Sequence, residues 1–166
     1  MTIRIADYFL GPPGSVQMFK DSEGKPIFSF QTIPDGMGKW KLRQHQPTGA
    51  WQCDWLLRVE PDGSLTEYGD DYPDGKLRFV KGHEISWAMK DSGTLWPNLL
   101  TSSFSQYGSW GTFLVMSMLQ ADGNLNIYME QKFQRTERST YVCQQGKGIT
   151  KIVYYTATGD TATVTA

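Results

Sequence analysis

Trp51-Gln52-Cys53-Asp54-Trp55-Leu56-Leu57-Arg58-Val59-Glu60, then Pro61-Asp62-Gly63-Ser64, then Leu65-Thr66-Glu67-Tyr68, is the stretch that decides the fold. Trp51, Cys53, Trp55, Leu57 and Val59 occupy alternate positions, and Gln52, Asp54, Arg58 and Glu60 fall between them. Only a strand sends alternate side chains to opposite faces, so the pattern predicts a half-buried strand. The Asp-Gly pair then turns the chain back into a second strand, with Gly63 free to take the positive φ of a tight turn. On this reading Trp51 and Trp55 share the apolar face.

The same signature recurs along the chain. Ser22-Glu23-Gly24, Pro34-Asp35-Gly36, Asp74-Gly75, Ala121-Asp122-Gly123-Asn124 and Thr158-Gly159-Asp160 each separate extended runs. Strands are expected at Val16–Lys20, Pro26–Ile33, Gly38–Arg43, Lys76–Val80 and Glu84–Met89. Thr112–Gln120 with Leu125–Phe133 forms the longest hairpin, and Arg135–Cys143, Gly148–Tyr155 and Thr161–Thr165 follow. That makes roughly ten to thirteen strands. Tight turns join them into an antiparallel meander, and a sheet of that size must curl or split into layers. The expected fold is therefore a single all-β domain over residues 1–166, a curved antiparallel meander as half-barrel or sandwich, with at most one short helix. One irregular central crossover interrupts it. Lys90 to Phe104 does not alternate, and Pro97-Asn98-Leu99-Leu100 could hold one helical turn.

Composition bounds the function. A chain of 166 residues with eight Phe, eight Tyr and six Trp has an ample aromatic core, which excludes global disorder. A formal net charge of −1 excludes nucleic acid as a main partner, since phosphate neutralisation needs a basic face. No run approaches the roughly 20 apolar residues of a spanning helix. The N-terminus carries no signal-peptide pattern, so cytoplasmic synthesis is expected, with envelope location requiring a removed leader.

The residues that carry chemistry are few. His45 lies in a polar run and His83 in a glycine-flanked turn, and neither belongs to a hydrolase elbow or a metal-binding helix motif. Cys53 and Cys143 are too few for a disulfide framework. A buried free thiol at Cys53 and one bridge between the two remain alternatives. Asp70, Asp71 and Asp74 in the loop from Gly69 to Gly75 are the best place for a hard cation, although their spacing is not that of an EF-hand. No metal or other cofactor is expected, and no catalytic residue is assigned.

The order of features resembles bacterial lipoproteins with the LolA-like half-barrel. Asp7-Tyr8-Phe9-Leu10, Trp96-Pro97-Asn98-Leu99-Leu100, Gly108-Ser109-Trp110 and the run from Tyr141 to Lys151 carry the likeness. The chain shows no lipid-accepting cysteine near its start. The resemblance implies a curved half-barrel whose concave face binds or carries apolar groups without catalysis.

Three functions fit such a chain. The leading expectation is a non-enzymatic structural or adaptor protein, specifically a bacteriophage virion accessory component of tail, baseplate or head attachment. It would act through protein partners in a larger assembly. Its expected contact residues are Trp96, Leu99, Tyr107 and Trp110 of the central segment, with Asp71 and Tyr72 of the neighbouring loop, because aromatic residues anchor interfaces. The alternative is a LolA-like binder of a small apolar ligand or lipid. The third is a carbohydrate-binding or carbohydrate-active protein.

Overall fold

The computed structural model describes residues 3–74, 85–86, 98–106, 109–132 and 135–166. For 85–86, 98–106, 109–111 and Phe113 the backbone path alone is described. Among the described residues, one short helix, α1 (Ile5–Phe9), precedes twelve strands. The first six are β1 (Val16–Lys20), β2 (Pro26–Pro34), β3 (Lys39–His45), β4 (Trp51–Val59), β5 (Leu65–Asp71) and β6 (Ile85–Ser86). The other six are β7 (Asn98–Gln106), β8 (Ser109–Leu119), β9 (Leu125–Lys132), β10 (Thr136–Gln144), β11 (Gly148–Tyr155) and β12 (Thr161–Thr165). All twelve belong to one antiparallel sheet of order β6-β5-β4-β3-β2-β1-β12-β11-β10-β9-β8-β7.

The sheet is two meanders of six strands, back to back. Each follows chain order, and they meet where β1 lies beside β12. That seam has a single register pair, Lys20 with Thr165, whereas β11 and β12 share five, from Lys151–Thr165 to Tyr155–Thr161. At the outer ends, β6 and β7 approach one another.

Curling is proven by rings that touch across it. Trp55 on β4 and Tyr141 on β10 are six strand spacings apart in the sheet, about 29 Å if it were flat. Their ring centroids are 6.1 Å apart. The architecture is therefore a curled half-barrel in a single sheet, and a two-layer sandwich is excluded.

The concave face is the core. Phe19, Phe28 and Phe30 pack edge-on or stacked at 5.0–5.6 Å, and Phe30 meets Trp55 at 5.3 Å. Leu42, Leu57, Leu65, Leu125, Ile127, Ile149 and Ile152 complete it from both meanders. Helix α1 lies within this concavity. Ile5 and Phe9 are almost fully buried, and Phe9 touches both Trp55 and Tyr141, at 6.4 and 6.2 Å. Five residues cannot hold a helix alone, since nucleation is costly, so packing holds this one. Two backbone hydrogen bonds tie it to hairpin turns of opposite meanders. Ala6 N–H donates to the Gly63 carbonyl of the β4–β5 turn, and Gly146 N–H of the β10–β11 turn donates to the Asp7 carbonyl. Helix α1 thus bridges the two meanders that the Lys20–Thr165 seam joins so sparingly.

The chain after the helix also depends on a close approach. Gly148 sits at φ +86°, and a Cβ there would lie 2.7 Å from the Gly11 nitrogen. Gly148→Ala should therefore cost about 2–3 kcal/mol, measured by urea unfolding, because it adds both backbone strain and a clash with main chain. A cost below about 0.5 kcal/mol would show that the hairpin can move away from the Gly11 bend.

Two expectations need correction. Trp51 does not share the face of Trp55. The register of β3 with β4 shifts between Gln44–Cys53 and His45–Trp51, so Gln52 is an extra residue, and the bulge turns Trp51 to the convex side. There its indole N–H donates to Asp54 at 3.0 Å, and Arg43 stacks over its ring at 5.1 Å. The central segment is also more regular than expected. From Asn98 onward it is strand, not a helical turn, and pairs with β8 in unbroken register from Asn98–Ser117 to Gln106–Ser109. Lys76–Val80 and residues 87–97 lie outside the described residues.

Candidate functional site

Where helix α1 meets the ends of the sheet, the half-barrel has an open mouth. A cleft of about 620 Å³ lies there. Its apolar wall is Ala6 and Leu10 of the first segment, Pro12, Trp40 of β3 and Val59 of β4, and its polar edge is Arg4, Asp7 and Gln145. Each element has a physical reason to be there. Trp40 faces inward because its register partner is the fully buried Leu57. Val59 is fixed to the β2–β3 turn by its N–H, which donates to the Gly38 carbonyl at 2.9 Å. Gln145 and Gly146 belong to the turn that is tied to Asp7.

The charges at the edge leave donors to spare. Arg4 Nε is 3.9 Å from Asp7 Oδ1, an ion pair too long to be a hydrogen bond, and both side chains are about half exposed. A guanidinium has five N–H donors, so an acceptor group in the cleft can be met without breaking that pair. The turn beside Gly38 carries Met37 at φ +48° and 95% exposed, a left-handed conformation unusual for a methionine.

Other groups capable of chemistry are engaged in structural contacts. Arg43 grips Asp54 with Nε and Nη2, both at 2.7 Å, and the carboxylate is buried under it. The hydrogen bond to Asp54 raises the Arg43 pKa above its ordinary value. This pair and Trp51 lock the bulge of β4. His45 Nδ1 lies 3.1 Å from the Gly49 carbonyl and closes the β3–β4 turn. Both cysteines are free and buried. Burial, aided by the nearby Asp70 charge, pushes the Cys53 thiol up to about 12, and burial raises Cys143 also. Neither is a thiolate near neutral pH, so neither is a ready nucleophile.

The residues singled out from sequence are dispersed. Asp70 pairs in register with Trp55 and acts on Cys53, so it faces the concavity. Asp71 pairs with Asp54 and acts on Arg43, so it faces the convex side. Adjacent residues of one strand cannot turn both carboxylates to the same ion, and Asp74 stands in the exposed turn beyond. Among the described residues, no group of three or more His, Cys, Asp or Glu is placed to hold a metal. Tyr72 follows β5 and is half-buried. Leu99 is in β7 and Trp110 in β8, and Trp96 and Tyr107 lie outside the described residues. The cleft residues Arg4, Asp7, Trp40 and Gln145 were not signalled as a group, because they come from four separate parts of the chain.

No protein-family model matches the chain, and no curated protein matches it. It is similar to a solved structure from Parabacteroides distasonis described as a "putative lipoprotein". The two share 10% identity over 95% of each chain, with a TM-score of 0.45. That likeness is too loose to support a functional argument. Among the described residues, no helix is long and apolar enough to cross a membrane.

Proposed function

We propose that this chain is a non-catalytic binding protein that takes a small amphipathic molecule in the cleft at the mouth of its half-barrel. The observation that carries the proposal is the lining. An apolar wall of Leu10, Pro12, Trp40 and Val59 suits a hydrocarbon segment, and Arg4 at the edge suits an acceptor or anionic head. Ligand sites commonly combine a mostly apolar concavity of this size with a few polar groups that fix orientation. The concave face itself is a poorer place for a ligand than the LolA-like resemblance implies, because α1 and its aromatic neighbours fill it. The adaptor reading through Trp96, Leu99, Tyr107 and Trp110 has no described side chain to rest on, and nothing here supports a virion role.

Titration with 11-(dansylamino)undecanoic acid, followed by dansyl fluorescence, tests the proposal. Saturable one-to-one binding is expected. Trp40→Ala should weaken it by about tenfold or more, because it removes the largest apolar wall, and Arg4→Ala by about threefold. Melting curves on both variants separate lost binding from lost fold. A wild-type chain that shows no saturation, or folded variants that both bind as tightly as wild type, would remove the cleft from consideration.

A further inference from the structure

Met37 has no structural task in its own turn. Between β2 and β3 the chain runs through three left-handed residues in succession, Gly36 at φ +76°, Met37 at +48° and Gly38 at +74°. Glycine takes this conformation freely, whereas the Cβ of a methionine crowds its own backbone there. Nothing in the turn offsets that strain. Two hydrogen bonds close it, from Asp35 N–H to the Lys39 carbonyl and from Lys39 N–H to the Gly36 carbonyl, both at 2.9 Å. A third fixes the Gly38 carbonyl to Val59 N–H. None of these bonds involves Met37, and its 95% exposed side chain packs against almost nothing. A glycine at 37 would hold the same turn with less strain. An outlier kept without structural gain is a reason to look for function.

The position of the turn says where to look. Gly38 lines the mouth cleft, so the side chain of the preceding residue starts from the rim. The cleft is open to water, and its wall of Leu10, Pro12, Trp40 and Val59 leaves the outer side of a bound hydrocarbon uncovered. Small-molecule sites commonly bury about 70–90% of their ligand, so this one needs a cover. Arg4, Asp7 and Gln145 at the edge are polar and do not supply an apolar one. Met37 does. It is the most exposed large apolar side chain among the described residues, ahead of Val16 at 59%. An unbranched thioether is also the side chain that best adapts to ligands of varied shape.

We infer that Met37 is the cover of the mouth cleft, a specificity residue whose side chain folds from solvent onto the bound molecule. The inference rests on the binding reading above and names the class of ligand more closely, as one with a flexible hydrocarbon chain. Only the side chain moves, because the three hydrogen bonds hold the backbone of the turn. On closing, the thioether and the outer side of the chain leave water together, and that shared burial is the gain in affinity.

The test uses undecanoic acid and the intact chain. Met37→Gly should weaken binding by about fivefold in calorimetric titration, through lost apolar burial, without lowering the melting temperature. Met37→Leu restores an apolar side chain on the same left-handed backbone, and should bind within about twofold of wild type. With methionine methyls labelled with carbon-13, the Met37 methyl, assigned by its loss in Met37→Gly, should show nuclear Overhauser contacts to the ligand chain. Binding that Trp40→Ala weakens but Met37→Gly leaves unchanged would overturn the cover and leave the cleft standing. So would a Met37 methyl without ligand contacts at saturation, or Met37→Leu no tighter than Met37→Gly. A wild-type chain that binds no undecanoic acid would overturn the cleft and its cover together.

Discussion

Replacing Phe9 by alanine should destabilise the protein by about 3–5 kcal/mol, the usual cost of truncating a fully buried aromatic residue. Phe9 is 0% exposed and belongs to a helix too short to persist without its packing. Its ring lies against Trp55 of one meander and Tyr141 of the other. Loss of the ring leaves a cavity and weakens the bridge across the β1–β12 seam. Urea unfolding followed by tryptophan fluorescence gives the value. A loss below about 1.5 kcal/mol would mean that α1 is an ornament on a sheet that holds its curl unaided.

Trp55→Ala is the second large effect, also expected at about 3–5 kcal/mol. Trp55 is only partly buried, but it contacts Phe9, Phe30 and Tyr141, drawn from α1, β2 and β10. Because Phe9 and Trp55 share the same small volume, their effects should not add. The double variant should lose at least about 1 kcal/mol less than the sum of the two single losses. Strict additivity would mean that the two rings do not interact in solution, and the seating of α1 against β4 would be wrong.

The parts of the fold that were legible in the sequence are those with local causes. Alternation in Trp51–Val59 and the Asp62-Gly63 turn made the β4–β5 hairpin plain, and Ala121-Asp122-Gly123-Asn124 did the same for β8 and β9. What escaped has nonlocal causes. A bulge adds one residue without any compositional mark, so the period-two reading carried Trp51 to the wrong face. Strand β7 has Leu99 next to Leu100 and three consecutive small polar residues, so it shows no alternation. Its pairing comes from the edge that β8 offers, a case of tertiary context overriding propensity. Helix α1 was unreadable for the opposite reason. Its residues Ile5, Ala6, Tyr8 and Phe9 are buried by the sheet, and no side-chain cap marks its start.

The candidate site was less legible still. The mouth cleft draws Arg4, Trp40, Val59 and Gln145 from distant places. That grouping cannot be read from a local pattern. The acidic loop was conspicuous in sequence, but the pleat sends Asp70 and Asp71 to opposite faces.

The most direct test of the binding account is an amide and indole NMR titration with undecanoic acid. The cleft reading predicts progressive shifts confined to Arg4, Ala6, Asp7, Gly38, the Trp40 indole, Val59, Gln145 and Gly146, with Val16, Met18 and Lys151 unmoved. Shifts centred on residues away from the mouth, or no shifts at millimolar ligand, would contradict it.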